Sequence, residues 1–150
     1  MKRFQFPLRP VAIVRANNEL RAREALATAL RASEFAEERL ERGRARVKEL
    51  EEIIFNGRRI RFKPAEEAAF LQAYRCECAA VMESERQAIA AQAEVRKRRD
   101  ACIEANRQVK VVARLEEKAR ASYRLAMLGD EQKQIDEIAG FRAYNGRETV

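Results

Sequence analysis

What this chain of 150 residues lacks already narrows the class of protein. It has no tryptophan and no histidine, and it contains only five glycines, three prolines and three cysteines. Without histidine the most common general base is missing, and a zinc site is not expected. No run approaches the roughly 18 apolar residues of a membrane-spanning helix. So little glycine and proline fits long helices better than a layered globular core.

Motifs for catalysis are also absent. No glycine-rich phosphate loop and no dinucleotide-binding fingerprint occurs. Cys76 and Cys78 are two residues apart, so on a helix they face opposite sides and cannot hold one ion together. We therefore expect reduced thiols in a cytoplasmic protein. The sequence predicts no catalytic residue, no metal, no cofactor and no small-molecule substrate, which means that the protein is not an enzyme.

What is abundant is charge: 37% of the residues are charged, and the net charge is +7. A basic protein meets acidic partners faster, whatever its fold. Arg96–Arg99 form a basic cluster that could contact phosphate. No aromatic residue interleaves with this cluster to stack on bases, so nucleic acid is not the expected partner.

Two long stretches repeat apolar or small residues with the alternating three- and four-residue spacing of a heptad seam. The first stretch extends from Leu26 to Ile54 and includes Leu30, and the second extends from Phe70 to Ala126 and includes Val95 and Arg98. The fold class predicted is all-α, an antiparallel two-helix coiled-coil hairpin with a longer C-terminal helix. One domain is expected, and its parts are an arm at 1–10, helix one at about 11–55, a turn at 56–64, helix two at about 65–139 and a tail at 140–150.

The two seams also predict a register. Facing residues have position numbers that add to about 121, which pairs Leu40 with Val81 and Ser33 with Ala88. Helix one then ends opposite Val109, and about 30 residues of helix two, from Val111 to Gly140, have no partner helix. A helix that continues past its partner is free to contact another protein, so function is expected at this end.

Aromatic residues mark both ends of the predicted hairpin. Phe4 and Phe6 belong either to a frayed tail or to an arm that packs on helix two near Tyr123. Phe70 and Tyr74 lie one helical turn apart near the turn, where they are either seam residues or the exposed edges of a docking patch.

The order of three features resembles a known family. An arm with Phe4, Phe6 and Leu8 precedes the helices, Leu115-Glu-Glu-Lys118 and Tyr123 lie in helix two, and Glu131-Gln-Lys-Gln-Ile-Asp-Glu137 comes last. This pattern is similar to the flagellar export protein FliJ family and covers essentially the whole chain. The turn, with its Arg-Arg-Ile-Arg-Phe sequence, has no counterpart in the pattern.

The resemblance implies a component of the flagellar type III protein export apparatus, similar to the central stalk of rotary ATPases. Its implied partners are the hexameric export ATPase, the export-gate membrane protein FlhA and export chaperones, at the inner face of the cell membrane. The gate would contact Phe70 and Tyr74. The residues expected to contact the ATPase are Phe4, Phe6, Arg114, Lys118, Tyr123, Gln132, Lys133, Asp136 and Glu137.

Two alternatives stay open at this point. One is the equivalent stalk protein of a virulence-type secretion system, which has the same mechanics but different cargo. The other is a structural coiled-coil protein whose unpartnered end pairs with a second copy of itself.

Overall fold

The computed structural model describes residues 3–145, with side chains to residue 144. Two helices account for nearly all of this range: α1 spans Arg9–Arg59 and α2 spans Pro64–Asn145. They pack against each other as a hairpin, and the described residues contain no strand. The predicted fold class is therefore confirmed, including the longer second helix, which has 82 residues against 51.

The first helix begins two residues earlier than predicted. Pro10 lies inside its first turn, where the missing N–H of proline has no partner to lose. The Arg9 N–H donates to the Phe6 carbonyl at 3.2 Å, and the Ala12 N–H donates to the Leu8 carbonyl at 2.9 Å. The arm therefore enters α1 through a hydrogen-bonded turn.

The predicted turn at 56–64 is shorter in the structure, because α1 continues through Asn56 and Gly57 to Arg59. The Phe62 ring lies directly on Gly57, where a Cβ atom would overlap it. The Phe62 N–H also donates to the Gly57 carbonyl at 3.0 Å. Arg61 closes the turn with a φ of 59°. The glycine is thus needed for close approach of an aromatic ring, and it does not mark the turn itself.

Within the unit formed by Glu19–Glu104, small and apolar side chains line the contact between the helices. Its buried residues include Ser33, Leu40 and Ile54 of α1 and Ala88 and Val95 of α2. All belong to the predicted seam. Two seam positions are wrong: Ala29 is buried in place of Leu30, and Arg98 is exposed and paired with Glu94 at 2.7 Å.

The register differs from the predicted one by about one helical turn. A Cβ on Gly43 would lie 3.0 Å from Cγ2 of Val81, so the facing position numbers add to 124. The predicted sum of about 121 had assigned Leu40 to Val81. The reason lies in the turn: its irregular residues are 60–63 in place of 56–64, which moves the midpoint of the hairpin by one and a half residues. A heptad seam tolerates such a slip, because its contact positions recur every three or four residues.

The second unit comprises the residues up to Asn18 together with those from Ala105 onwards. Val112 is its buried apolar residue, and Arg15 donates a hydrogen bond from α1 to Gln108 of α2. The second helix does not end at Gly140 as predicted, and it continues to Asn145. One glycine in a helix costs about 1 kcal/mol, which is not enough to stop it. The rest of the predicted tail, 146–150, lies outside the described residues.

Candidate partner-binding site

The N-terminal arm is packed on α2 and is not frayed. The Phe4 ring centroid lies 5.4 Å from that of Tyr123, with the planes tilted by 56°. The Arg120 guanidinium lies over the Phe4 ring, with its Cζ 5.5 Å from the ring centroid. An aromatic pair and a cation–π contact each contribute about 1 kcal/mol. The structure therefore brings together two of the predicted site residues, Phe4 and Tyr123.

Arg120, one of the basic side chains that the sequence places on the unpartnered part of helix two, also belongs to this cluster. Its guanidinium is held by Glu116, one turn earlier, with Nη2 2.6 Å from Oε1. The available signal was its position three residues before Tyr123, which places both side chains on the same side of α2.

An open groove of about 1020 Å³ lies beside the arm. Phe6, a predicted site residue, is half-buried in its wall, and Ile13 and Ala16 of α1 supply further apolar surface. Arg3 and Arg9 supply two positive charges, and Arg120 is paired with Glu116, which also lines the groove. The groove can therefore accept a partner that presents apolar and acidic side chains together.

The polar residues predicted further along α2 are all exposed. Arg114 and Lys118 precede the arm contact, and Gln132, Lys133, Asp136 and Glu137 follow it. Gln132 and Asp136 are bonded to each other within the helix: the Gln132 amide donates to Asp136 Oδ1 at 2.9 Å. Lys133 Nζ lies 3.8 Å from Asp130 Oδ1. Such exposed pairs stabilise a helix by only a few tenths of a kcal/mol, so they are easily exchanged for contacts with a partner.

Apolar residues of the same region were not among the predicted site residues. Every residue from 128 to 144, called here the C-terminal segment, is exposed. It carries Leu128, Ile135, Ile138 and Phe141, at spacings of seven, three and three. At 100° per residue, Leu128, Ile135 and Ile138 lie within about 80° of one another around the helix, and Phe141 is turned about 140° from Leu128. Leu128 comes five residues and Ile135 twelve residues after Tyr123, so both side chains are turned away from the seam side of α2. The signal that could have revealed this second apolar side is the spacing of Leu128, Ile135 and Ile138 themselves.

At the other end of the hairpin, Phe70 and Tyr74 behave mainly as packing residues. The Phe70 ring stacks on Phe62, with centroids 5.4 Å apart and planes 25° apart. The Tyr74 hydroxyl donates to Glu51 Oε1 at 3.1 Å. Hydrogen bonding with Cys78 and with Glu51 raises the pKa of Tyr74 to about 12. Both rings are half-buried, so only their edges are available to a partner.

The described residues were also compared with the requirements of a metal site, a disulfide and a membrane-spanning helix. No group of three or more histidine, cysteine, aspartate or glutamate side chains is placed to hold a metal ion in the part of the chain that the structure describes. The three cysteines are free thiols. Over residues 3–145, neither helix has a stretch long and apolar enough to cross a membrane.

These features define an antiparallel coiled-coil protein whose longer helix ends in an exposed, partly apolar segment. The family model described as Flagellar FliJ protein matches residues 4–148. The chain belongs to this family and is a flagellar export-related coiled-coil protein. Comparison with curated proteins and with solved structures gives no match.

Proposed function

We propose that this protein associates with the hexameric flagellar export ATPase and stimulates it, in the manner of a rotary stalk. The contact would be made by the arm–helix cluster of Phe4, Phe6 and Tyr123 together with Arg114 and Lys118. The C-terminal segment, with Gln132, Lys133, Asp136 and Glu137, would complete the contact. The family assignment favours this flagellar role over a virulence-type one.

The observation that carries the proposal is the exposure of every residue from 128 to 144. A single helix that displays Leu128, Ile135 and Ile138 on one side leaves apolar surface in contact with water. Burial of such surface is favourable by about 25 cal/mol per Å², so a partner that covers it gains affinity. A single helix is also narrow enough to enter the central hole of a ring, at about 10–12 Å in diameter.

Truncation after Met127 tests the proposal. We expect the shortened protein to retain its helical hairpin by circular dichroism and to lose stimulation of the ATPase. The triple variant Leu128→Gln, Ile135→Gln, Ile138→Gln keeps the helix and removes only the apolar side, so it should lose stimulation as well.

The matched control places glutamines at exposed apolar positions outside the segment, in Met82→Gln, Ile89→Gln, Ile103→Gln. Full stimulation by the control and loss in both test variants would support the proposal. Undiminished stimulation by the truncated protein would refute it.

The hairpin end would face the export gate. We propose that FlhA contacts the exposed edges of Phe70 and Tyr74, that export chaperones dock on the same protein, and that it works at the inner face of the cell membrane. Because Phe70 also packs on Phe62, the double variant Phe70→Ala, Tyr74→Ala must be compared with Phe62→Ala, which disturbs the same stack. Weaker FlhA binding in the double variant alone supports the contact, and equal affinity of all three proteins contradicts it.

A second candidate function, self-association, is favoured by the same exposed apolar side. Two copies could pair their C-terminal segments and so bury Leu128, Ile135 and Ile138. The mass in solution distinguishes the two, because a monomer at micromolar concentration is expected for a stalk and a dimer for a structural coil.

A further inference from the structure

Large apolar side chains are exposed at the hairpin tip, which is defined here as residues 55–63. Ile60 is 81% exposed and Phe55 is 66% exposed. Neither side chain contributes to the Phe62–Phe70 stack that holds the turn. Exposed apolar side chains at the end of a hairpin indicate a surface that contacts a partner.

The same tip is strongly basic. It carries four cations, and one of them, Arg58, is paired with Glu67, with Nε 2.8 Å from Oε1. Arg59, Arg61 and Lys63 form no salt bridge with any residue that the structure describes, and all three are exposed. The nearest acids on α2 are Glu66 and Glu67, in its first turn. The tip therefore presents three exposed cations that form no salt bridge with the described residues, together with two exposed apolar side chains.

The backbone holds this arrangement in place. The Phe62 ring is fixed between Gly57 and Phe70, so the turn folds back on itself and leaves Ile60 on the outside. Arg61 adopts a φ of 59°, a conformation that non-glycine residues seldom occupy. The apolar side chains are thus displayed at a turn of defined shape and not on a loose loop.

We propose that the hairpin tip binds directly to the surface of an anionic lipid bilayer. Ile60 and Phe55 would enter the boundary between headgroups and acyl chains, and Arg59, Arg61 and Lys63 would contact the headgroups. A bilayer fits a protruding tip because lipids rearrange around it, whereas a protein partner must offer a pocket of matching shape for each anchor. The contact is peripheral and needs no gate protein, so it stands independently of the proposed contact with FlhA.

A single tryptophan reports on the proposed insertion, because the chain has none of its own. Full-length Ile60→Trp is mixed with vesicles of phosphatidylcholine alone or with 30% phosphatidylglycerol, a composition of about one anionic lipid in three. We expect a blue shift of its emission, and quenching by brominated acyl chains, with the anionic vesicles only. The matched control is Ile89→Trp, at a position of similar exposure in the middle of α2, which should show neither effect.

Removal of charge tests the proposed contact between the cations of the tip and the lipid headgroups. The variant Arg59→Gln, Arg61→Asn, Lys63→Gln should bind anionic vesicles about 100-fold less tightly, at about 1 kcal/mol for each cation. Asparagine is used at 61 because it tolerates positive φ. The control Arg96→Gln, Lys97→Gln, Arg99→Gln removes the same charge from the middle of α2 and should change binding less than threefold.

Three results would overturn the proposal. The first is no binding of the unmodified protein to anionic vesicles in co-sedimentation at low salt. The second is equal loss in the two charge variants, which would mean diffuse attraction without a site. The third is tight binding to soluble polyglutamate that displaces the vesicles while the Ile60→Trp emission stays unshifted, which would identify an acidic protein as the partner.

Discussion

Replacement of Gly57 by alanine sets two physical effects against each other. Gly57 lies in the last turn of α1, and alanine there would favour the helix by up to about 1 kcal/mol. The new methyl group, however, would occupy the place of the Phe62 ring. Helix propensity alone predicts stabilisation, whereas the packing predicts the opposite sign.

The size of the packing effect follows from what Phe62 would lose. If the ring moves aside, its stack on Phe70 is broken, at about 0.5–1.5 kcal/mol, and a half-buried aromatic side chain returns to water at a further cost of about 1–2 kcal/mol. After subtraction of the propensity gain, Gly57→Ala should destabilise the protein by about 1–2 kcal/mol. The midpoint of thermal unfolding should fall by about 2–4 °C for each kcal/mol.

A double-mutant cycle isolates this contact. Urea unfolding is followed by circular dichroism for the unmodified protein, Gly57→Ala, Phe62→Ala and the double variant. Once the ring is gone, alanine at 57 has free space and should stabilise by about 1 kcal/mol. The coupling free energy between the two positions should therefore be about 2–3 kcal/mol.

The control is Gly129→Ala, which places a methyl group where no atom lies within 4 Å. It should increase helicity without any penalty. If Gly57→Ala stabilises the protein as much in the presence of Phe62 as in its absence, the packing of Phe62 on Gly57 and the resulting account of the turn are wrong.

Three further predictions concern single contacts. Arg61→Gly should stabilise the hairpin by about 0.5–1 kcal/mol in urea unfolding, because glycine relieves the positive φ, and Arg61→Val should do the reverse. In a difference titration against Tyr74→Phe at 295 nm, Tyr74 should ionise near pH 12. Since its folded pKa is raised, its stabilising effect should be fully present below pH 10, the unfolded pKa, and should be lost as pH rises through 12; a midpoint near 10 would contradict the hydrogen bonding with Cys78 and Glu51. Phe4→Ala should accelerate amide exchange in the first turn of α1 about 5- to 30-fold through loss of the Tyr123 and cation–π contacts, and unchanged exchange would mean that the arm does not hold that turn.

Much of the candidate site could be predicted from the sequence, but the roles of its members could not. The pairing of Phe4 with Tyr123 was one of two alternatives, because a sequence does not reveal whether an arm of eight residues gains more from packing than it loses in entropy. Leu128, Ile135 and Ile138 were not predicted as site residues, because the prediction rested on the polar side chains of this stretch and on the seam, and Leu128 and Ile135 are turned away from the seam side of α2. Periodicity shows which side of a helix is apolar, and it does not show where the partner helix ends.

The sequence by itself determined that this protein is a helical hairpin with a longer second helix, because heptad spacing and the scarcity of glycine and proline leave few other structures. Only the tertiary structure decided the register and the turn. Asn56-Gly57 looks like a turn in sequence, yet the ring of Phe62 makes glycine necessary inside the helix. That contact moves the midpoint of the hairpin and shifts every facing pair by about one turn. The physical reason is that a seam with three- and four-residue repeats packs almost equally well in several registers, so a single aromatic contact at the turn selects one of them.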